Sequence, residues 1–156
     1  MTSTMNQFAI IGCGEVAYKH AEVINKMGKL IAVCDIIPDK ANALANKFSA
    51  KAYYTIDELL LAEKEIGIAV ICTPNGYHAE HSIKALQARN NVLCETPFCL
   101  TTAAAWQTIE TEKFCRRKLF IIKRARLNNL FKDVKKDIED NKLGKVYSFH
   151  FNISKY

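Results

Sequence analysis

Phe8-Ala-Ile-Ile-Gly-Cys-Gly-Glu-Val-Ala17 is the stretch that decides the fold. Its continuous apolar run, Phe8 to Ile11, has the character of a strand buried in a parallel sheet. The run ends in Gly12-x-Gly14-x-x-Ala17, and Ala17, His20 or Ala21, Ile24 and Met27 then fall at helical spacing. Strand, glycine turn and helix are the context in which this pattern cradles a pyrophosphate. Gly12 allows the tight turn, Gly14 lets phosphate approach the backbone, and Ala17 keeps the helix close to the strand. The helix start then presents unpaired N–H groups to the anion. An ordinary strand–helix turn with two glycines is the plainer reading of the same residues.

Leu30 to Cys34 is a second apolar run, and it ends in Asp35, twenty-one residues after Gly14. An acid there accepts both hydroxyls of an adenosine ribose and repels a 2′-phosphate. Ile36 and Ile37 follow, with no arginine beside the acid, so NAD is favoured over NADP; Lys40 is the nearest cation. S-adenosylmethionine enzymes also place an acid after their second strand, which leaves a methyltransferase as a rival at this point.

A chain of 156 residues suits one domain with a substantial core. No run of about eighteen apolar residues occurs, so no membrane span is expected. The N-terminus has neither the basic region nor the apolar core of a signal peptide, and a cytoplasmic location follows. Cys34, Cys72 and Cys94 lie near the ends of apolar runs, as small buried hydrophobes do. None of the six cysteines forms Cys-x-x-Cys or has a histidine at ligand spacing, so no metal site is expected. Cys13, inside the glycine turn, is either a reactive thiol or, more simply, a spacer. The net charge of +6 is uneven: residues 113–145 carry twelve Lys or Arg against four Asp or Glu, and the rest of the chain is −2. The basic segment shows no nucleic-acid-binding motif, so it reads as a solvated helix face and not as a nucleic-acid surface.

Beyond Asp35 the alternation continues. Pro38-Asp39 opens a helix with Ala41, Leu44, Ala45 and Phe48 on one face, and a short strand spans 52–54. Thr55-Ile-Asp-Glu58 is a capping box before a helix carrying Leu59, Leu60 and Ala62. A strand over 68–72 ends in Thr73-Pro-Asn-Gly76; the helix after it carries His78, Ile83 and Leu86 and stops at Asn90 in a left-handed cap. A strand over 92–94 ends in Glu95-Thr-Pro-Phe98, and Thr101 or Thr102 caps a helix with Trp106 and Ile109 inside. The sixth strand, 119–122, leads to Lys123-Arg-Ala-Arg-Leu-Asn-Asn129 and a helix burying Leu130, Phe131, Val134 and Ile138. Six rounds of strand and helix predict an α/β fold, a doubly wound, mostly parallel sheet with its ligands at the carboxyl ends of the strands. From Val146 to Tyr156 the pattern changes: Tyr147, Phe149, Phe151 and Ile153 alternate with polar residues, the period of a half-buried antiparallel strand. A lone strand of that kind requires partners. It reads as the first strand of a second domain, missing here or supplied by another chain.

The clusters Gly12-x-Gly14-x-x-Ala17, Thr73-Pro-Asn-Gly-x-His78 and Glu95-Thr-Pro97, with Asn141-Lys-Leu-Gly144 and a strand after it, resemble the Gfo/Idh/MocA oxidoreductases, relatives of glucose–fructose oxidoreductase and inositol dehydrogenase. The resemblance covers nearly the whole chain but only the N-terminal half of a family member. It implies an NAD(P)-binding Rossmann domain over 1–145, with 146–156 opening an α+β substrate and oligomerisation domain. Phe120-Ile-Ile-Lys-Arg-Ala-Arg-Leu-Asn128 is most similar to the branch acting on nucleotide-linked sugar acids, such as UDP-N-acetylglucosaminuronate 3-dehydrogenases.

By that resemblance Gly12, Gly14, Glu15 and Val16 meet the pyrophosphate, and Asp35 and Ile36 the adenosine end. Thr73, Pro74, Asn75 and His78 line the middle, Glu95 holds the nicotinamide-side ribose, and Arg126 and Asn128 lie near nicotinamide and substrate. The methyltransferase rival has no reason for Thr-Pro-Asn and Glu-x-Pro at these strand ends. The implied activity is NAD-dependent hydride transfer to or from a sugar or nucleotide-sugar hydroxyl, in a homo-oligomer with no membrane or nucleic-acid partner. Two departures matter. The family's Glu-Lys-Pro lysine is Thr96, which can donate a hydrogen bond but carries no charge. Lys123 or Arg126 is the expected substitute. The alternatives are an NAD-binding sensor that reduces nothing and an assembly module that uses the last strand. A second departure is length: the family's Asp-x-x-x-His motif, whose histidine is a usual general base, belongs to the domain that 146–156 would open, and neither His78 nor His150 is assumed to replace it.

Overall fold

The computed structural model describes residues 6–123, 126, 128–150 and 152. They fall into two compact units, Met1–Ile122 and Lys123–Tyr156. The first holds β1 (Gln7–Ile11), α1 (Glu15–Met27), β2 (Lys29–Cys34), α2 (Pro38–Phe48) and β3 (Lys51–Tyr53). α3 (Ile56–Ala62), β4 (Ile68–Ile71), a 3-10 turn at Asn75–Tyr77 and α4 (His78–Gln87) come next. β5 (Asn91–Cys94), α5 (Thr102–Cys115) and β6 (Leu119–Ile121) complete it.

All six strands run parallel, in the order β3-β2-β1-β4-β5-β6. Successive side chains on a strand face opposite sides, so β1 feeds two cores. Phe8 and Ile10 pack with Ala17, Ala21 and Ile24 of α1 and Leu44 of α2. Ala9 and Ile11 join Leu59 of α3 and Ala85 and Leu86 of α4 on the other face. Helices therefore cover both faces, as a fully apolar parallel sheet demands. The strand order reverses between β1 and β4, which opens the crevice in which doubly wound sheets hold ligands.

Caps follow the local chemistry. Thr55 Oγ1 accepts from the Glu58 N–H (3.2 Å), and Thr101, not Thr102, caps α5 by accepting from the Ala104 N–H (3.2 Å). Pro38 occupies the first turn of α2, where its missing N–H costs nothing.

Several expectations are corrected. Met27 is exposed, because α1 ends there and its buried stripe stops at Ile24. The left-handed residue after α4 is Arg89 (φ 69°); Asn90 is buried and its N–H donates to Ala85 O (3.0 Å). Trp106 faces outward, since the buried line of α5 runs through Thr108 and Cys115. Thr108 is tolerated there because its hydroxyl donates to Ala104 O (2.7 Å).

The second unit holds α6 (Asn129–Glu139), capped by Asn128, whose Oδ1 accepts from the Leu130 N–H (2.9 Å). No residue of α6 is fully buried: Leu130 is exposed, and Phe131, Val134 and Ile138 are half-buried. Gly144 has φ 62°. Of the strand expected over 146–156, residues 146–150 and 152 are in no ladder, and 151 and 153–156 lie outside the described residues. An alternating strand needs a partner edge before its backbone can be satisfied.

Candidate cofactor site

The site is built from the turns that follow β1, β2 and β4. Gly12 has φ 91°, and a Cβ there would lie 2.6 Å from the Thr73 amide nitrogen, so only glycine lets the turn pass over the end of β4. Gly14 differs: a Cβ on it would meet nothing within 4 Å. As the N-cap of α1 it offers no side chain to its helix, so the first amides of α1 carry no side-chain cap. Glu15 contributes backbone there, its exposed carboxylate pairing with Lys19 Nζ (3.6 Å). Val16 stands half-buried in the same first turn.

Asp35 closes the turn from across β1. Its Oδ2 accepts from the Cys13 N–H (2.8 Å) and its Oδ1 from the Ile37 N–H (2.9 Å). Two directional bonds fix the carboxylate plane, and each oxygen keeps a second lone pair for a ligand hydroxyl. Cys13 is a spacer: it is buried, its thiol faces Cys34 O (3.5 Å), and burial, reinforced by Asp35, pushes its pKa up to about 12.

Of the expected residues, Gly12, Gly14, Asp35, Ile36, Thr73 and Pro74 line one cleft of about 590 Å³. Ile37, Lys40, Thr55, Tyr77 and His81 line it too and were not singled out as site residues from sequence. Tyr77 and His81 stack, with ring centroids 5.5 Å apart and planes 13° from parallel. His81 Nδ1 lies 3.1 Å from Thr73 Oγ1, and burial holds its pKa below the usual imidazole value. The i, i+4 spacing of two aromatic rings after a strand end was the sequence signal for this pair.

His78, expected along the middle of the cleft, is buried elsewhere. Its Nδ1 lies 2.6 Å from Pro97 O and its Nε2 2.6 Å from Thr73 O, and whichever nitrogen carries hydrogen donates. The ring thus ties the end of β4 to the loop after β5. Asn75 opens the exposed 3-10 turn between them. Glu95 follows β5, and its Oε1 lies 2.9 Å from His20 Nε2, a partner on α1 that the sequence reading did not pair with it. Thr96 is exposed, beside the cis Thr96–Pro97 bond. Lys123, Arg126 and Asn128 belong to the second unit: the Arg126 N–H donates to Lys123 O (3.0 Å), and Asn128 caps α6.

An uncapped helix start, open space at Gly14 and a fixed carboxylate at the end of β2 fit a dinucleotide: phosphates at the first, a ribose at the last. The class so defined is a dinucleotide-binding Rossmann domain. The chain belongs to the Gfo/Idh/MocA oxidoreductase family, whose NAD-binding Rossmann-fold profile matches residues 6–121.

It is 30% identical over 150 residues to a D-glucoside 3-dehydrogenase of Escherichia coli, covering 94% of this chain and 43% of that protein. It is 29% identical over 142 residues to an inositol 2-dehydrogenase of Rhizobium meliloti, covering 90% and 42%. Among solved structures it is similar to the WlbA dehydrogenase of Chromobacterium violaceum in complex with NADH and UDP-GlcNAcA, with a TM-score of 0.88, 25% identity and coverage of 94% and 43%. The chain spans under half the length of the curated relatives it matches. Among the described residues no helix is long and apolar enough to cross a membrane.

Proposed function

We propose that this chain is the cofactor half of an NAD-dependent dehydrogenase acting on a hydroxyl of a sugar or nucleotide sugar. The observation that carries the reading is Asp35, held by two backbone amides at the rim of a cleft that also contains the open start of α1. NAD, when bound, supplies the hydride chemistry. The chain's own residues bind and orient. Amides of Gly14, Glu15 and Val16 meet the pyrophosphate, and Gly12 makes room for the turn. Asp35 accepts from the adenosine ribose and opposes a 2′-phosphate, which favours NAD over NADP, and Ile36 walls the adenine. Thr73, Pro74 and Asn75 line the middle, with His78 holding the loops on either side. Glu95 accepts from the second ribose, and Asn128 lies towards the nicotinamide.

Thr96, Lys123 and Arg126 serve the reacting hydroxyl. Thr96 donates a hydrogen bond, and Lys123 or Arg126 brings the positive charge that eases proton removal. The sugar class draws support from the glucoside and inositol dehydrogenases among the relatives, and the nucleotide-sugar class from WlbA. Residues 1–145 form the cofactor domain and 146–156 begin a substrate domain that also joins subunits into a homo-oligomer. A cytoplasmic location goes with this reading, in which Cys13, Cys34, Cys94 and Cys115 are buried as reduced side chains.

Calorimetric titration of the chain tests the core of this reading: NADH binds, and NADPH binds about tenfold or more weakly because Asp35 meets its phosphate. Absence of heat with both overturns it. For turnover, the two-domain protein is assayed with NAD and a panel of sugars and nucleotide sugars; binding without turnover would favour the sensor reading that Thr96 invites.

A further inference from the structure

The strand order divides the carboxyl edge of the sheet into two nucleotide-sized halves on either side of the β1–β4 crevice. Asp35 stands at the end of β2, in one half. Glu95 stands at the end of β5, in the other. The Glu95 backbone is fixed by its own sheet, its N–H donating to Ile71 O (3.1 Å) and its carbonyl facing the Cys94 thiol (3.3 Å).

The side chain is held from elsewhere. His20 Nε2 lies 2.9 Å from Glu95 Oε1 across 75 positions of sequence, with the two side chains 19% and 13% exposed. His20 belongs to α1, one turn beyond Val16 and beside the buried stripe of Ala17, Ala21 and Ile24. A carboxylate withdrawn this far from water needs donors, and the His20 imidazole supplies a directional one. It has one nitrogen aimed at one oxygen, on a ring with few rotamers, so it fixes the rotation of the carboxylate. The helix whose first turn faces the pyrophosphate therefore also sets the direction in which an acid in the second half presents its lone pairs.

We infer that His20 is a positioning residue for the second nucleoside of the cofactor: its Nε2–H holds the Glu95 carboxylate at the angle at which it accepts from that ribose. The inference depends on the NAD reading above and goes beyond it in assigning His20 and in coupling α1 to both halves of the site.

The test uses the 156-residue chain with two probes, NADH, which fills both halves, and ADP, which fills the adenosine and phosphate half alone. His20→Ala weakens NADH about tenfold, the scale of one hydrogen bond to a charged group, and changes ADP affinity less than twofold. His20→Gln, whose amide nitrogen can reach the same oxygen, restores most of the NADH affinity; Glu95→Ala reproduces the loss and is not worsened by adding His20→Ala. Should His20→Ala melt below the titration temperature, His20→Asn, with an amide too short to reach, replaces it. Equal losses for NADH and ADP, or a glutamine variant no better than alanine, overturn the inference and leave the cofactor reading standing. A wild-type chain that binds neither probe overturns both.

Discussion

β1 and β6 read alike in the sequence, each a short run of large apolar residues, yet the sheet treats them differently. β1 is hydrogen-bonded on both edges, to β2 and β4, and Ile10 is completely buried. β6 pairs with β5 at the margin of the sheet, and Phe120 is 58% exposed. The same contrast separates α1, whose stripe of Ala17, Ala21 and Ile24 is buried, from α5, where Trp106 and Phe114 are 60% and 89% exposed. Apolar character records what a segment requires to be covered; how much of that cover a given stretch of chain supplies is a separate fact. The cover is nearly complete over Phe8–Ile11 of β1 and thins towards β6.

The contrast can be broken by mutation. Ile10→Ala should cost about 2–5 kcal/mol, the scale for truncating a fully buried aliphatic side chain in a core that cannot collapse. Urea unfolding followed by circular dichroism measures it, and a loss below about 1 kcal/mol would mean that the interior of β1 is no better packed than the margin. Gly12→Ala should cost about 1–3 kcal/mol from backbone strain alone, with the contact against Thr73 in addition. Gly14→Ala leaves the melting temperature nearly unchanged and weakens NADH binding instead, since its new methyl meets open space where phosphate is expected. Thermal melts and calorimetry on the two variants separate a glycine required by packing from one required by a ligand.

Asp35→Ala should lower NADH affinity about tenfold or more, with the lost ribose bonds and the loosened Cys13 and Ile37 amides acting together. Phe120→Ala should stay within about 0.5 kcal/mol of the parent, as exposed substitutions do; a larger loss would show that β6 is covered in solution. The smallest effect is a pH dependence. Burial holds the folded pKa of His81 below its ordinary 6.5, so the unfolded chain binds a proton that the folded chain refuses. Its contribution to stability is present above 6.5 and is lost as pH falls from there towards the folded value. His81→Gln should flatten that slope in melts between pH 5 and 7.5.

Much of this architecture was legible because its causes are local. The glycine turn, the acid closing β2 and the period of each apolar run lie within a few residues of one another, and the crevice follows from the alternation. Thr55 and Thr101 announced their helices for the same reason. Other features are set by distance. No pattern within α1 points His20 at Glu95, and the carbonyls of Thr73 and Pro97 that engage His78 become neighbours only when β4 and β5 pair. Trp106 misled because a large apolar residue in a helix suggests the inward face. Residues 106 and 108 point about 200° apart, however, and the inward place went to a threonine able to satisfy its own hydroxyl. Tyr77 and His81 lay in plain view, but an aromatic pair at helical spacing reads as core until the cleft beside it is seen.

The parallel order has a consequence for synthesis on the ribosome. β1 finds one neighbour in β2 within a short span, but its other neighbour, β4, emerges roughly sixty residues after it. At bacterial or eukaryotic elongation rates of about 5–20 residues per second, a strand that feeds both cores waits for several seconds with one edge open. A nascent chain arrested before Ile68 should therefore be held by hydrophobic-binding chaperones, and one arrested past Cys94 should release them.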